Sequence, residues 1–125
     1  MKKTLVMEAI QRIYPSYYGG YIDTTAEFNW GNIRLESGDL SLIDKDLVEA
    51  KISEIAIEVA LQKLRMQRNQ LLAQSDWRAT VDYPGSNQAA WLTYRQNLRD
   101  LPENSTPSLD ENGQLTGVTW PTPPE

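Results

Sequence analysis

The stretch RNQLLAQSDW, Arg68 to Trp77, decides how the rest of the chain is read. Its first half continues a helical pattern. Its second half breaks that pattern with Ser75 and Asp76, whose side chains compete for backbone hydrogen bonds, and then sets down a large aromatic, Trp77. Upstream, from Asp44 to about Ala73, the chain contains neither Gly nor Pro, so one helix of roughly 45 Å is expected, at about 1.5 Å per residue. Acids crowd its beginning (Asp44, Asp46, Glu49) and bases its end (Lys63, Arg65, Arg68), the order the helix dipole favours. Asp44 is the expected cap, with Ser41 and Asp44 as a rival capping box one turn earlier. Val48, Ile52, Ile55 and Val59 mark one apolar stripe, and Ala56, Ala60, Leu64 and Leu71 a second. Between them, IAIEVAL points apolar side chains in nearly every direction, so either the preceding elements or another chain must wrap it.

Downstream of the break, Pro84-Gly85 signals a turn. A further helix is expected from Ser86 as its cap to about Arg99, stopped by Leu101-Pro102. Trp91, Tyr94 and Leu98 share one face, with Arg95 beside it. Two helices joined in this way make an antiparallel hairpin. Arg95 and Arg99 lie one turn apart and can both reach Asp76, while Asp82 and Asp100 lie nearby; an acidic partner segment is the rival acceptor. After Pro102 the chain becomes polar and Pro-rich and ends in VTWPTPPE. This tail is expected to be extended, anchored by Trp120. Trp77, Trp91 and Trp120 thus fall on hinge, helix and tail. They read either as one cluster pinning the three together or as exposed anchors for a partner.

Ahead of the long helix, residues 4–14 read as a short helix with Leu5, Val6, Ala9, Ile10 and Ile13 on one face, closed by Pro15. The following segment is rich in aromatic and β-branched residues and punctuated by Gly19-Gly20, Gly31 and Gly38. It reads as two or three short strands: Tyr17-Tyr18 or Tyr21 to Thr24, Glu27 to Trp30, and Ile33 to Leu35. The fold class expected is α+β. Residues 1–43 form a small module of helix and antiparallel sheet, and residues 44–125 the long helix, hairpin and tail. Tyr14, Tyr17, Tyr18, Tyr21, Phe28 and Trp30 crowd the first module, and such rings are enriched at protein contacts. Tyr17, Tyr18, Tyr21, Phe28 and Trp30 are therefore the expected partner surface, although a small sheet must also bury some of its rings.

The 125-residue chain carries 17 acidic against 12 basic residues, a formal net charge of −5. That balance argues against nucleic acid or an anionic membrane as a partner. The start MKKTLVMEAIQRIYP has the charged head of a signal peptide, but Glu8, Gln11 and Arg12 interrupt its apolar run, so none is expected. No run approaches the ~20 apolar residues of a spanning helix. The chain has no cysteine and no histidine, which removes disulfides, thiolate chemistry, the usual base near neutral pH and the commonest zinc ligands. The pairs Asp44/Asp46 and Glu54/Glu58 lack any calcium-loop, phosphate-loop or nucleophile frame. No catalytic residue, metal or cofactor is expected.

Three ordered blocks carry a resemblance. An R-x-x-R segment leads to L-L-x-x-S-D-W on Arg65, Arg68, Leu71, Leu72, Ser75, Asp76 and Trp77. The second block falls on Trp91, Tyr94, Arg95, Leu98, Arg99 and Asp100, and a closing W-P on Trp120 and Pro121. Residues 65–121 in this pattern resemble the phage tail assembly chaperone family, with a longer link, Glu103 to Gly117, than the family's usual connector. The N-terminal part more loosely resembles the module that precedes this segment in small tail-related phage proteins. The resemblance implies a non-enzymatic, ATP-independent chaperone in the host cytoplasm. Its partner would be a tail fibre protein, through the fibre's C-terminal part, bound by a homo-oligomer or in several copies on a trimeric fibre. The rival reading is a structural component of the fibre or baseplate that stays in the virion.

Overall fold

Tyr14 cannot continue a helix into Pro15, because the proline ring clashes with an α-helical residue before it. Tyr14 accordingly leaves helical geometry at φ −123°, ψ 81°, and helix α1 spans Lys2–Ile13. The structure is a computed structural model and describes residues 1–23, 25 and 27–125. Leu5, Val6, Ala9 and Ile10 are buried along the expected face of α1, with Ile13 half-buried at its end. Arg12, on the opposite face, reaches Glu8 at 2.9 Å and Glu58 at 3.1 Å. Hydrogen bonds to Glu58 and then Glu8 raise the Arg12 pKa.

Two strands follow, β1 (Tyr18–Tyr21) and β2 (Ile33–Ser37), antiparallel with Tyr21 opposite Ile33 and a bulge between Tyr18 and Gly19. The two glycines expected to punctuate the segment instead lie inside β1. A Cβ on Gly19 would stand 2.1 Å from the Arg34 carbonyl oxygen, so the strands approach too closely there for any side chain. Glu27 to Trp30 is not a strand. Asn29 accepts a hydrogen bond from the Gly31 amide at 2.8 Å and starts a 3-10 turn, Trp30–Asn32; that local capping replaces a ladder. Thr24, at the end of one expected strand, lies outside the described residues.

Helix α2 spans Lys45–Ser75. The Asp44 carboxylate accepts from the Leu47 amide at 3.1 Å, so Asp44 is the cap. Ser41 serves another turn: its amide and hydroxyl donate to Asp39 at 2.9 and 2.6 Å, above a 3-10 turn Leu40–Leu42. Those bonds, the hydroxyl's first, hold the Asp39 pKa below the usual carboxylate range. Along α2 the buried positions change face. Val48, Ile52 and Ile55 are buried first, then Ala60 and Leu64.

The chain divides into two compact units, Met1–Glu58 with Asp110–Gly113, and Val59–Leu109 with Gln114–Glu125. The first has a core of α1 side chains with Ile33, Ile43 and the first stripe of α2. In the second, a 3-10 turn Asp76–Ala79 leads toward helix α3, Gln88–Asp100, whose buried face is Trp91, Tyr94, Arg95 and Leu98. α3 begins after Asn87, one residue beyond the expected cap Ser86, and the Asn87 side chain makes no cap bond. Its amide is spoken for: Oδ1 accepts from Tyr83 Oη at 2.6 Å, and Nδ2 donates to the Glu125 carbonyl at 2.7 Å. The tail is not extended throughout. Strands β3 (Ser108–Leu109) and β4 (Leu115–Thr116) pair as a short antiparallel hairpin. Between them Asp110 accepts from the Asn112 amide at 2.9 Å, and Gly113 takes φ +76°, the turn chemistry that Asp-Glu-Asn-Gly supplies.

Candidate functional site

A helix leaves its last carbonyls without amide partners, and burying such an oxygen costs free energy unless another donor reaches it. At the end of α2 that donor is Arg95 of α3. Its Nη1 donates to the Leu72 carbonyl at 2.7 Å and to Ser75 Oγ at 2.8 Å, and its Nη2 donates to Asp76 Oδ1 at 2.7 Å. Ser75 itself donates back to the Leu71 carbonyl at 2.9 Å. The guanidinium is buried, with its side chain 7% exposed, whereas Asp76 is 67% exposed. One planar fork therefore reads the frayed helix end, and the ion pair lies at its outer rim.

Arg99 does not join this pairing. Four residues further along α3 is about 6 Å, and Arg99 instead meets Gln96 Oε1 at 3.5 Å in solvent. Asp100 accepts from Gln96 at 3.0 Å, and Arg68 donates to the neighbouring Asn69 at 3.0 Å. Asp82 is exposed.

Above the fork, Trp91, Tyr94 and Leu98 form the core of the second unit, with Leu71, Leu72, Tyr83 and Trp120 packed against it. Trp91 meets Tyr94 edge to face at 5.5 Å between centroids. Pro121, next to Trp120, is half-buried. Trp77 is not a core ring, being 50% exposed. It is linked to the cluster through Tyr83, which it meets edge to face at 5.1 Å between centroids, and through Arg78, whose guanidinium carbon stands 4.5 Å from the Trp77 centroid and 3.9 Å from that of Trp91. Arg78 also donates to Tyr83 Oη at 3.1 Å. The sequence reading did not single out Arg78, Tyr83 or Asn87. The available signal was the adjacency of Trp77 and Arg78 at a helix break, where a cation can lie over an indole face.

In the first unit, most of the aromatic group is committed to internal contacts. Tyr17 stacks on Tyr14 at 5.1 Å. Tyr21 stacks on Phe28 at 6.0 Å, and Phe28 meets Trp30 edge-on at 5.4 Å. Tyr21 Oη accepts from the Asn29 amide at 2.8 Å and donates to the Glu27 carbonyl at 3.2 Å. Lys2 and Lys45 lie over the Phe28 and Trp30 rings at 5.7 and 5.6 Å. Tyr18 is different, 51% exposed at one end of β1, while Ile22, just beyond the other end, is 58% exposed. β1 has one hydrogen-bonded neighbour, β2, so its other edge is unpaired among the described residues.

Among the described residues, no group of three or more Asp or Glu side chains is placed to hold a metal ion. The first unit presents exposed apolar side chains beside an unpaired strand edge, and the second a half-exposed indole on an arginine. A sequence model of the family described as phage tail assembly chaperone protein matches residues 61–125, just over half of the chain. No curated protein and no solved structure gives a significant match.

Proposed function

The chain belongs to the phage tail assembly chaperone family, and from that premise we propose that it binds the tail fibre protein and assists its folding and trimerisation without ATP. Tail fibres are long, β-rich trimers, and before assembly their unpaired edges and apolar surfaces invite wrong pairing. A small acidic protein that covers such surfaces lowers the concentration of sticky intermediates. The observation that carries this reading is the free edge of β1 between the exposed side chains of Tyr18 and Ile22. An extended fibre segment adding to that edge would gain main-chain hydrogen bonds, with Tyr18 and Ile22 supplying apolar contact.

In this reading the labour is divided. Residues 1–43 grip the fibre's C-terminal part, with Tyr18 leading and Tyr17, Tyr21, Phe28 and Trp30 shaping the surface behind it. Residues 44–125, with α2 and α3 as an antiparallel hairpin locked by Arg95, serve as its stand. Several copies would decorate one trimeric fibre in the host cytoplasm. No helix among the described residues is long and apolar enough to cross a membrane.

The test is co-expression of the tagged chain with its fibre protein, followed by recovery of the complex. The parent chain should retain the fibre, and a Tyr18→Ser/Ile22→Thr chain should lose it while its thermal midpoint stays within a few degrees. Retention by the double variant would move the surface elsewhere, and failure of the parent to retain any fibre would remove the fibre reading. Purified particles should lack the chain. A fixed copy number per fibre would make it a structural component instead.

A further inference from the structure

We propose that the recess beside Trp91 is a docking groove for a proline-containing extended segment of the partner protein, and that the chain's own closing residues, Trp120 to Pro124, are its resident stand-in. The inference rests on the reading of the chain as a binding chaperone, and adds to the β1 edge a second contact of defined chemistry.

The recess has a volume of about 230 Å³ and is walled by Leu71, Ser75, Arg78, Trp91, Tyr94 and Pro123, among others. Flat aromatic walls with a few polar groups suit polyproline geometry. The rings pack against pyrrolidines, the fixed backbone loses little entropy on binding, and its carbonyls point outward to donors. The tail that borders the recess has this chemistry. In WPTPP, Trp120 packs on the Trp91, Tyr94 and Leu98 cluster, Pro123 forms part of the recess wall, and the Glu125 carbonyl accepts from Asn87 at 2.7 Å.

Yet the fit of this tail is incomplete in two respects. Thr122 and Pro123 remain exposed between the held ends, Trp120 and Glu125. The indole Nε1–H of Trp91, a residue only 8% exposed, is buried with no acceptor among the described residues. Buried indole donors ordinarily find one. A backbone carbonyl of an entering polyproline segment is an acceptor of the right kind, and the resident tail does not supply it. The tail therefore acts as a weak internal competitor, holding the groove closed to casual contacts and yielding to a segment that bonds Trp91.

The test uses the full chain, labelled with ¹⁵N, titrated with acetylated hexaproline or with a Gly-Ser peptide of equal length. The chain has four tryptophans, and the Trp91 indole resonance is the one lost in Trp91→Phe. Hexaproline should move that proton downfield saturably and the Gly-Ser peptide should not. Pro123→Ala, which loosens the tail, should lower the half-saturation concentration several-fold. Trp91→Phe, followed through the Trp120 indole, should raise it by about tenfold, the worth of one hydrogen bond. Absence of a saturable shift in both the parent and Pro123→Ala overturns the groove, as does equal affinity in Trp91→Phe. Fibre recovery by the parent chain is read separately, so the groove can fail while the chaperone reading stands.

Discussion

Replacing Arg95 by Met keeps most of the aliphatic bulk of a buried side chain and deletes its fork. Three hydrogen bonds go: to the Leu72 carbonyl, Ser75 Oγ and Asp76. They are not equal. Asp76 is two-thirds exposed, so the ion pair is screened and contributes at most about 1 kcal/mol. The Leu72 carbonyl and the buried Ser75 hydroxyl lose a charged donor inside the protein, each at about 1–3 kcal/mol. The lower end applies, because Ser75 keeps its own bonds to the Leu71 and Leu72 carbonyls at 2.9 and 3.2 Å. Some of the cost is offset, since Met also removes an Arg95 Nε that is buried without a partner. Arg95→Met should therefore destabilise by about 2–3 kcal/mol, Arg95→Lys by less, and Asp76→Asn by under about 1 kcal/mol, all read from urea unfolding. The Asp76→Asn effect should shrink further at high salt, and the Arg95→Met effect should not. If Asp76→Asn costs as much as Arg95→Met, the ion pair and not the helix end is what Arg95 holds, and the reasoning is wrong.

Other substitutions divide by burial and by backbone approach. Trp91→Ala should cost about 3–5 kcal/mol as a large-to-small core change, and Trp77→Ala about 1 kcal/mol, the scale of its stacking on Arg78; equal losses in urea titrations would place Trp77 in the core after all. Gly19→Ala drives a methyl into the Arg34 carbonyl oxygen and should cost about 2 kcal/mol or more. Gly20→Ala, with no atom within 4 Å of the added carbon, is its control, and matching unfolding midpoints for the two would contradict the β1–β2 register. Acid should weaken the protein in a defined direction. The Asp39 and Glu54 pKa values are lowered, by Ser41 and by the Lys51 hydrogen bond respectively. A lowered folded-state pKa adds stability above the unfolded-state value and loses it as pH falls through the folded one. The unfolding midpoint should hold down to the ordinary carboxylate range and fall below it, and Asp39→Asn with Glu54→Gln should flatten that fall.

The long helix was legible because nothing in Asp44 to Ala73 breaks it and its charges follow the dipole. Its two stripes also had a meaning: Ile55 is buried in one compact unit and Leu64 in the other, so no one stripe serves the whole of α2. The partnership of Arg95 with Asp76 followed from spacing across the break. Arg99 did not follow, since helical periodicity places two arginines on one face without saying how far that face extends past the end of α2. β1 was misread at its centre because glycines ordinarily end strands, and only the closeness of Arg34 explains why Gly19 belongs inside one. Ring size showed that Trp77 had area to bury, but not that a 3-10 turn would leave it half exposed over Arg78. The hairpin β3–β4 was hidden in a tail whose prolines suggested extension, although the turn residues Asp110 to Gly113 were present to be read.

The most direct measurement of chaperone action is refolding of the denatured C-terminal part of the fibre protein, without nucleotide, in increasing amounts of this chain. The yield of soluble trimer should rise and level off at a fixed molar ratio, and the Tyr18→Ser/Ile22→Thr chain should not raise it. A trimer yield that does not change with added chain, or that rises only when ATP is supplied, would contradict a stoichiometric chaperone.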